Sequence, residues 1–157
     1  MTYFKYIVIA FIILSNIHNI NAQNTGTSTS IEFAQDTARV EQKVRNMLEQ
    51  NWSTVGMIEA SAELEKGYDE LLNKYYNKLL QSVSNDDDKK VIRDAQRNWI
   101  KLRDSDIAVI HVVKQKVYDE AGGGTIWGVI GASARADITK RRVIEIYNFL
   151  TFGDIGG

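Results

Sequence analysis

Two residue types are missing from this chain of 157 residues, which contains no cysteine and no proline. Without cysteine there can be no disulfide and no thiolate ligand for a metal ion. Average usage would give roughly eight prolines, and since proline breaks the interior of a helix, its absence favours long uninterrupted helices. An excess of one charge is also lacking, because 19 Lys and Arg stand against 20 Asp and Glu. Nucleic acid is therefore not an expected partner.

Histidine is scarce as well, with His18 near the start and His111 in a valine-rich helical segment. A single histidine without cysteine does not make a zinc site, and we interpret His111 as a surface residue. The acidic run 86–88 lacks the glycine of an EF-hand loop, and Gly122–Gly124 lacks the Lys-Ser/Thr of a phosphate loop. We expect no metal, no cofactor and no catalytic residue.

The first 22 residues have the pattern of a signal peptide. Lys5 precedes an apolar run from Tyr6 to Leu14, and Ala22 offers a small residue for cleavage before Gln23. The run is too short to span a bilayer, although an uncleaved anchor is the alternative. The pattern predicts a periplasmic or secreted protein, and no cysteine follows the run to carry a lipid.

Beyond this segment, apolar residues recur three or four positions apart, which is the spacing of one helix face. The four stripes are Phe33, Thr37, Val40, Val44 and Met47/Leu48; Leu64, Tyr68, Leu71/Leu72, Tyr75 and Leu79; Val91, Ala95, Trp99, Leu102, Val109, Val113 and Val117; and Ile130, Ala134, Ile138, Arg141 and Ile144. Ser53 and Ser84 offer N-caps, and Gly122–Gly124 must end the third helix.

These stripes predict an all-α protein, a small antiparallel bundle of three to four helices joined by short loops. The predicted ranges are 1–22 for the signal, 23–52 for a flexible tail and an N-terminal helix, 53–150 for the helical domain, and 151–157 for a C-terminal tail.

The stretch 94–104 is the most unusual part of the chain, because polar residues lie beside a tryptophan on a helix that should face the core. We single out six residues as a binding site or a structural clamp, namely Gln96, Trp99, Arg103, Asp104, Trp127 and Arg142. In the structural hypothesis, Arg103 pairs with an acid on a neighbouring helix, Asp137 or Glu63. In the functional hypothesis, Trp99 and Arg103 face a groove and contact a ligand.

Carboxylates could also be paired for glycoside hydrolysis, and the candidates are Glu59, Glu63, Asp104, Asp106 and Asp137. The sequence does not fix their separation. Ion pairs between the last two helices are the simpler interpretation, so we expect a protein that is not an enzyme.

Several blocks resemble one known family. They are Met57-x-x-Ala60, Tyr68-x-x-x-Leu72-Asn73-x-x-Tyr76-x-x-Leu79, Ala95-Gln96-Arg97-x-Trp99-x-x-x-Arg103-Asp104, Gly123-Gly124, Ala132-Ser133 and Thr139-x-x-Arg142. This pattern is similar to the LprI-like family of lysozyme inhibitors and covers about Ser53 to Leu150. Family members usually carry cysteine near the positions of Ala60, Ile107 and Ala134. The resemblance implies that these positions lie together in the core.

The resemblance also implies a small exported helical domain. We therefore expect an exported binding protein of the cell envelope that inhibits a lysozyme-type enzyme by steric occlusion, presenting a loop or a helix end. Acids at 86–88 or at Asp119 and Glu120 would steer the encounter. The alternatives are an envelope module that binds a peptidoglycan fragment or another exported protein through Trp99 and Trp127, and a glycan-cleaving enzyme.

Overall fold

The computed structural model describes residues 28–152. Four helices occupy this range, α1 (Ser28–Gln50), α2 (Thr54–Ser82), α3 (Asp86–Glu120) and α4 (Ile126–Thr151). The expected all-α bundle is confirmed. The expected signal peptide 1–22 and the tail beyond Phe152 lie outside the described residues. None of the described helices is both long enough and apolar enough to cross a membrane.

The helix ends follow local chemistry. Ser53 is the N-cap of α2, and its hydroxyl accepts a hydrogen bond from the Gly56 amide at 3.1 Å. The N-cap of α3 is Asn85 and not the predicted Ser84, because the Asn85 side chain accepts from the Asp87 amide at 2.9 Å. Helix α1 begins at Ser28, within the segment that was expected to be a flexible tail.

The core lies between α2 and α4, which pack together most extensively. It contains four residues of α2 that the sequence predicts, Tyr68, Leu71, Leu72 and Tyr75, together with Val143 and Ile146 of α4. A second apolar cluster joins α1 to α2 through Val44, Leu48 and Ala60. Gly67 allows a close approach there, because a Cβ at this position would lie 2.7 Å from a Val40 methyl group.

Polar groups also hold α1 in place. The Tyr75 hydroxyl donates to the buried Asp36 carboxylate at 3.0 Å, and the Tyr68 hydroxyl donates to Glu41 at 2.8 Å. Burial, together with these carboxylates, raises the pKa of both phenols above their ordinary value. Both tyrosines therefore keep their protons and continue to donate across the helix interface.

Two predicted faces are wrong. On α3 the side chains of Val91, Leu102, Val109 and Val113 are exposed, and the buried residue is the polar Gln96. On α4 only Ile138 of the predicted face is buried, and the other buried residues include the small Gly131, Ala132 and Ala136 as well as Val143 and Ile146. The physical reason is that α3 packs mainly on α4, so only a narrow strip of α3 is covered.

The three positions that the resemblance places together in the core differ in burial. Ala60 is buried, whereas Ile107 and Ala134 are only partly covered. Their expected burial is thus correct for Ala60 alone. His111 is exposed, as the sequence predicts.

Candidate functional site

Helices α3 and α4 meet at a polar contact between Gln96 and Arg142. The Nε of Arg142 donates to Oε1 of Gln96 at 3.0 Å, and its Nη1 contacts a Glu145 carboxylate oxygen at 3.0 Å. The Arg142 side chain is only 11% exposed. A cation in this position needs its hydrogen bonds, because an unpaired buried charge is expensive.

Trp99 completes this contact. The guanidinium carbons of Arg103 and Arg142 lie 5.4 and 5.5 Å from the centre of its indole ring. Both distances are within the range of cation–π attraction. We call Gln96, Trp99, Arg103 and Arg142 the clamp. Arg142 attaches α4 to Gln96 and Trp99 across the narrow covered strip of α3, and Arg103 packs beside Trp99 on α3 itself.

The ion pairs expected between these helices are not formed. Nε and Nη2 of Arg103 donate to Oδ1 of its neighbour Asp104 at 3.0 and 2.8 Å. The predicted partners are taken by other cations, Asp137 by Arg141 on the same helix and Glu63 by Lys43. Arg103 thus pairs with a residue of its own helix in place of the predicted acid on a neighbouring helix.

Only some of the six predicted site residues lie close together. Gln96, Trp99, Arg103 and Arg142 come together, with Asp104 at their edge. Trp127 lies 15 residues before Arg142 on α4, which at 1.5 Å per residue is about 22 Å away along the helix. The structure does not bring Trp127 into the clamp.

A groove runs beside the clamp between α3 and α4. Its volume is about 410 Å³. The residues that line it are Asn98, Trp99, Leu102, Asp106, Ile138, Arg141, Arg142 and Glu145. Side chains of both charge signs and the Trp99 side chain thus border this groove.

A second candidate surface lies at one end of the bundle, where the α1–α2 loop meets the α3–α4 loop. The Thr125 hydroxyl donates to the Thr54 hydroxyl at 3.4 Å. Behind it, a Cβ on Gly128 would lie 3.1 Å from the Ile58 side chain, so the first turns of α2 and α4 are in close contact. We call residues 51–55 and 119–125 the tip.

Apolar side chains are exposed at the tip. Trp52 is 49% exposed and Val55 is 62% exposed. An exposed tryptophan is the residue type most enriched among the residues that dominate binding energy at protein interfaces. A signal for this position is present in the sequence, since Trp52 directly precedes the N-cap Ser53 in a loop of three residues. The prediction instead placed Trp52 at the end of the range 23–52, with the N-terminal helix.

The glycines fix the shape of the other tip loop. Gly122, Gly123 and Gly124 have φ angles of 71°, 96° and 124°, which L-residues with a side chain rarely adopt. The amides of Gly122 and Gly123 donate to the carbonyls of Asp119 and Tyr118 at 3.3 and 2.8 Å. The predicted helix stop is confirmed, and its amides are satisfied by the last turn of α3.

The acids of the tip lie at the end of α3 where the helix dipole disfavours negative charge. Asp119 and Glu120 form the last turn of α3, which contains no basic residue. The C-terminus of a helix carries partial negative charge, so each carboxylate there costs about 0.3–1 kcal/mol. Gln115 donates to Asp119 at 2.9 Å, and Lys116 lies 3.8 Å from Glu120. Charges that oppose local stability are typical of functional sites.

Comparison with known families gives one match. A family model described as "Lysozyme inhibitor LprI" matches residues 45–146, a range that includes the clamp and the whole tip. No curated protein and no solved structure matches the chain.

Proposed function

We propose, from the premise that this chain belongs to the lysozyme inhibitor LprI family, that it is an exported cell-envelope protein that binds a lysozyme-type muramidase. Inhibition would be steric, with the tip entering or covering the substrate cleft of the enzyme. No bond to the substrate is made or broken by this chain.

The observation that carries this proposal is the composition of the tip. Exposed Trp52 lies on one loop and exposed Val55 in the turn of α2 that follows it, and the acidic end of α3 leads into the other loop. An aromatic anchor surrounded by polar groups is the usual composition of an interface centre. Both loops are short, and the amides of Asn51 and Ser53 in one and of Gly122 and Gly123 in the other are hydrogen-bonded. Such restraint lowers the entropy lost on binding.

Charge supports the choice of this end of the bundle. Asp119 and Glu120 would attract a cationic enzyme and accelerate the encounter. The other acidic group, Asp86–Asp88, occupies the first turn of α3, where carboxylates stabilise the helix dipole. Those three acids have a sufficient structural role, whereas the two acids of the tip do not.

Export is part of the same proposal. The apolar run from Tyr6 to Leu14 and the small residue Ala22 support a cleaved signal. Mass spectrometry of protein from the periplasmic or secreted fraction should give an N-terminus near Gln23. An intact Met1 in the membrane fraction would contradict it.

A second function has one observation in its favour. The groove beside the clamp presents the Trp99 ring, Arg141 and the acids Asp106 and Glu145, a set that could stack on a sugar ring and bond a peptide of a peptidoglycan fragment. The glycan-cleaving hypothesis gains less support, because Asp104 and Asp137 are each ion-paired with an arginine.

One experiment separates these functions. Purified protein is mixed with a lysozyme-type muramidase and a suspension of cell walls, and the rate of clearing is measured. The proposal predicts a rate that falls with protein concentration and reaches zero at saturation. If the rate of clearing is unchanged and the protein binds soluble peptidoglycan fragments in a parallel titration, the second function, fragment binding, is supported and inhibition is not. Clearing by the protein alone would establish an enzyme.

A further inference from the structure

Five exposed apolar side chains of α3 form a stripe whose central residue, Leu102, borders the groove between α3 and α4, while exposed Ile100, Val112 and Tyr118 lie off it. Ala95, Leu102 and Val109 are spaced seven residues apart, and Val91 and Val113 lie eleven residues before and after Leu102. At 100° per residue all five project within about 20° of one direction. We call these five residues the seam; it is about 33 Å long.

The seam is uncovered. Leu102 is 59% exposed and Val109 is 58% exposed, and the other three residues are exposed as well. Of the clamp residues on α3 that contact α4, Trp99 projects about 60° and Gln96 about 120° round the helix from Leu102. An apolar stripe of heptad spacing on an uncovered helix is the pattern of a coiled-coil contact.

We propose that the seam binds the seam of a second copy of this chain, with the two α3 helices antiparallel. The spacing of the seam is symmetric about Leu102, at eleven and seven residues on either side. A two-fold axis through Leu102 would place Leu102 against Leu102, Ala95 against Val109, and Val91 against Val113. Such a match of a surface with itself is what a two-fold dimer requires.

Charge at the ends of the seam favours the antiparallel orientation. Asp88 and Lys116 each lie fourteen residues from Leu102, at opposite ends. In the antiparallel pair Asp88 of one copy lies level with Lys116 of the other at both ends. A parallel pair would place Asp88 beside Asp88 and Lys116 beside Lys116, and like charges repel.

The dimer would leave both tips free. Glu120 lies 18 residues beyond Leu102, or about 27 Å, so the two tips would point in opposite directions. Leu102 also lines the groove beside the clamp, so the second copy would cover part of that groove. Self-association and occupation of the groove would then compete, whereas self-association and enzyme binding at the tip would not.

Because the chain has no cysteine, single-cysteine variants report this contact directly. Leu102→Cys should form a disulfide-linked dimer on mild oxidation. Val109→Cys is the matched control, since its exposure is nearly the same but the axis places it about 20 Å from its own copy. It should stay monomeric alone and cross-link when mixed with Ala95→Cys.

Sedimentation velocity of the native protein and of Leu102→Glu provides the second measurement. The native protein should shift toward the dimer as its concentration rises, and Leu102→Glu should remain a monomer with an unchanged melting temperature, because the side chain is exposed. Equal cross-linking of Leu102→Cys and Val109→Cys would overturn the antiparallel contact. Sedimentation as a monomer at every concentration, or dimerisation of Leu102→Glu, would overturn the proposal.

Discussion

Arg142 on α4 donates to the buried Gln96 on α3 at 3.0 Å. This bond lies at the point where the otherwise exposed α3 is attached to the bundle, with the Trp99 ring beside it. The block from Ala95 to Asp104 thus supplies Gln96 and Trp99 to this contact.

The clamp can be tested with two adjacent arginines. Arg142→Ala should lower the free energy of unfolding by about 1.5–3 kcal/mol, the usual contribution of a hydrogen bond to a charged group. Arg141→Ala is the control, because its side chain is 66% exposed and pairs with Asp137 on the same helix. It should change stability by less than about 0.5 kcal/mol. Equal effects in urea unfolding would mean that Arg142 does not hold α3.

Arg103 should contribute less to stability than its predicted pairing with an acid on a neighbouring helix implies. Its partner Asp104 is its neighbour on an exposed part of α3, and such pairs contribute about 0–1 kcal/mol. Arg103→Ala should therefore stay within that range, while Trp99→Ala, which removes the ring that both arginines contact, should cost more. If unfolding midpoints show Arg103→Ala to be as costly as Arg142→Ala, the pairing described here is incomplete.

The stability of the α1–α2 contact should depend on pH. Hydrogen bonds from Lys74 and then Lys78 hold the pKa of Glu32 below its ordinary value of 4.5. Stabilisation by this carboxylate is therefore present above pH 4.5 and is lost as pH falls through the lowered pKa. Hydrogen bonding to Asp36 and then to Glu32 raises the pKa of Lys74 above 10.5, so its contribution is present below that pH and is lost as pH rises through the raised pKa.

Glu32→Gln should reduce the fall in the free energy of unfolding as the pH is lowered. The difference should stay below about 1 kcal/mol, because Glu32 and Lys74 are both partly exposed. Chemical denaturation between pH 3 and pH 7 would measure it. An identical acid limb in the native protein and the variant would show that Glu32 does not titrate with folding.

The acids of the tip give a prediction in which stability and binding change in opposite directions. Replacing Asp119 and Glu120 by Lys should slow association with a cationic muramidase, and it should raise helix stability by a few tenths of a kcal/mol or more through the dipole. The same change at Asp86 and Asp87 is the matched control, since it should lower stability and leave association unchanged. Association rates measured at two salt concentrations would separate long-range steering from direct contact. If association slows only in the control variant, the steering acids are those at the start of α3 and not those of the tip.

The sequence predicted the fold well where a helix is covered on a broad face. The stripe of α2 is correct because α2 packs against α1 and α4, so most of its apolar residues are covered. The stripe of α3 is wrong because periodicity cannot tell which apolar residues find a neighbour. On α4, small residues allow close contact with α2, and a search for large apolar side chains selects the wrong face.

The site was predicted only in part, for similar reasons. Gln96, Trp99, Arg103 and Arg142 come together, but the partner of Arg103 depends on rotamers and helix register that the sequence does not encode visibly. Trp52 was not among the predicted site residues, because an apolar residue near the end of a predicted helix resembles one more core position. Its exposure follows from the loop of three residues, which places it at the end of the bundle.

The most direct measurement of the central proposal compares two exposed aromatic residues at opposite ends of the bundle. The inhibition constant for a lysozyme-type muramidase should rise about 30-fold in Trp52→Ala, the consequence of losing about 2 kcal/mol at an interface centre. Phe149→Ala, near the far end of α4 and 57% exposed, should inhibit as the native protein does, with both melting temperatures unchanged. Full inhibition by Trp52→Ala, with loss of inhibition in Phe149→Ala, would contradict the assignment of the tip as the inhibitory surface.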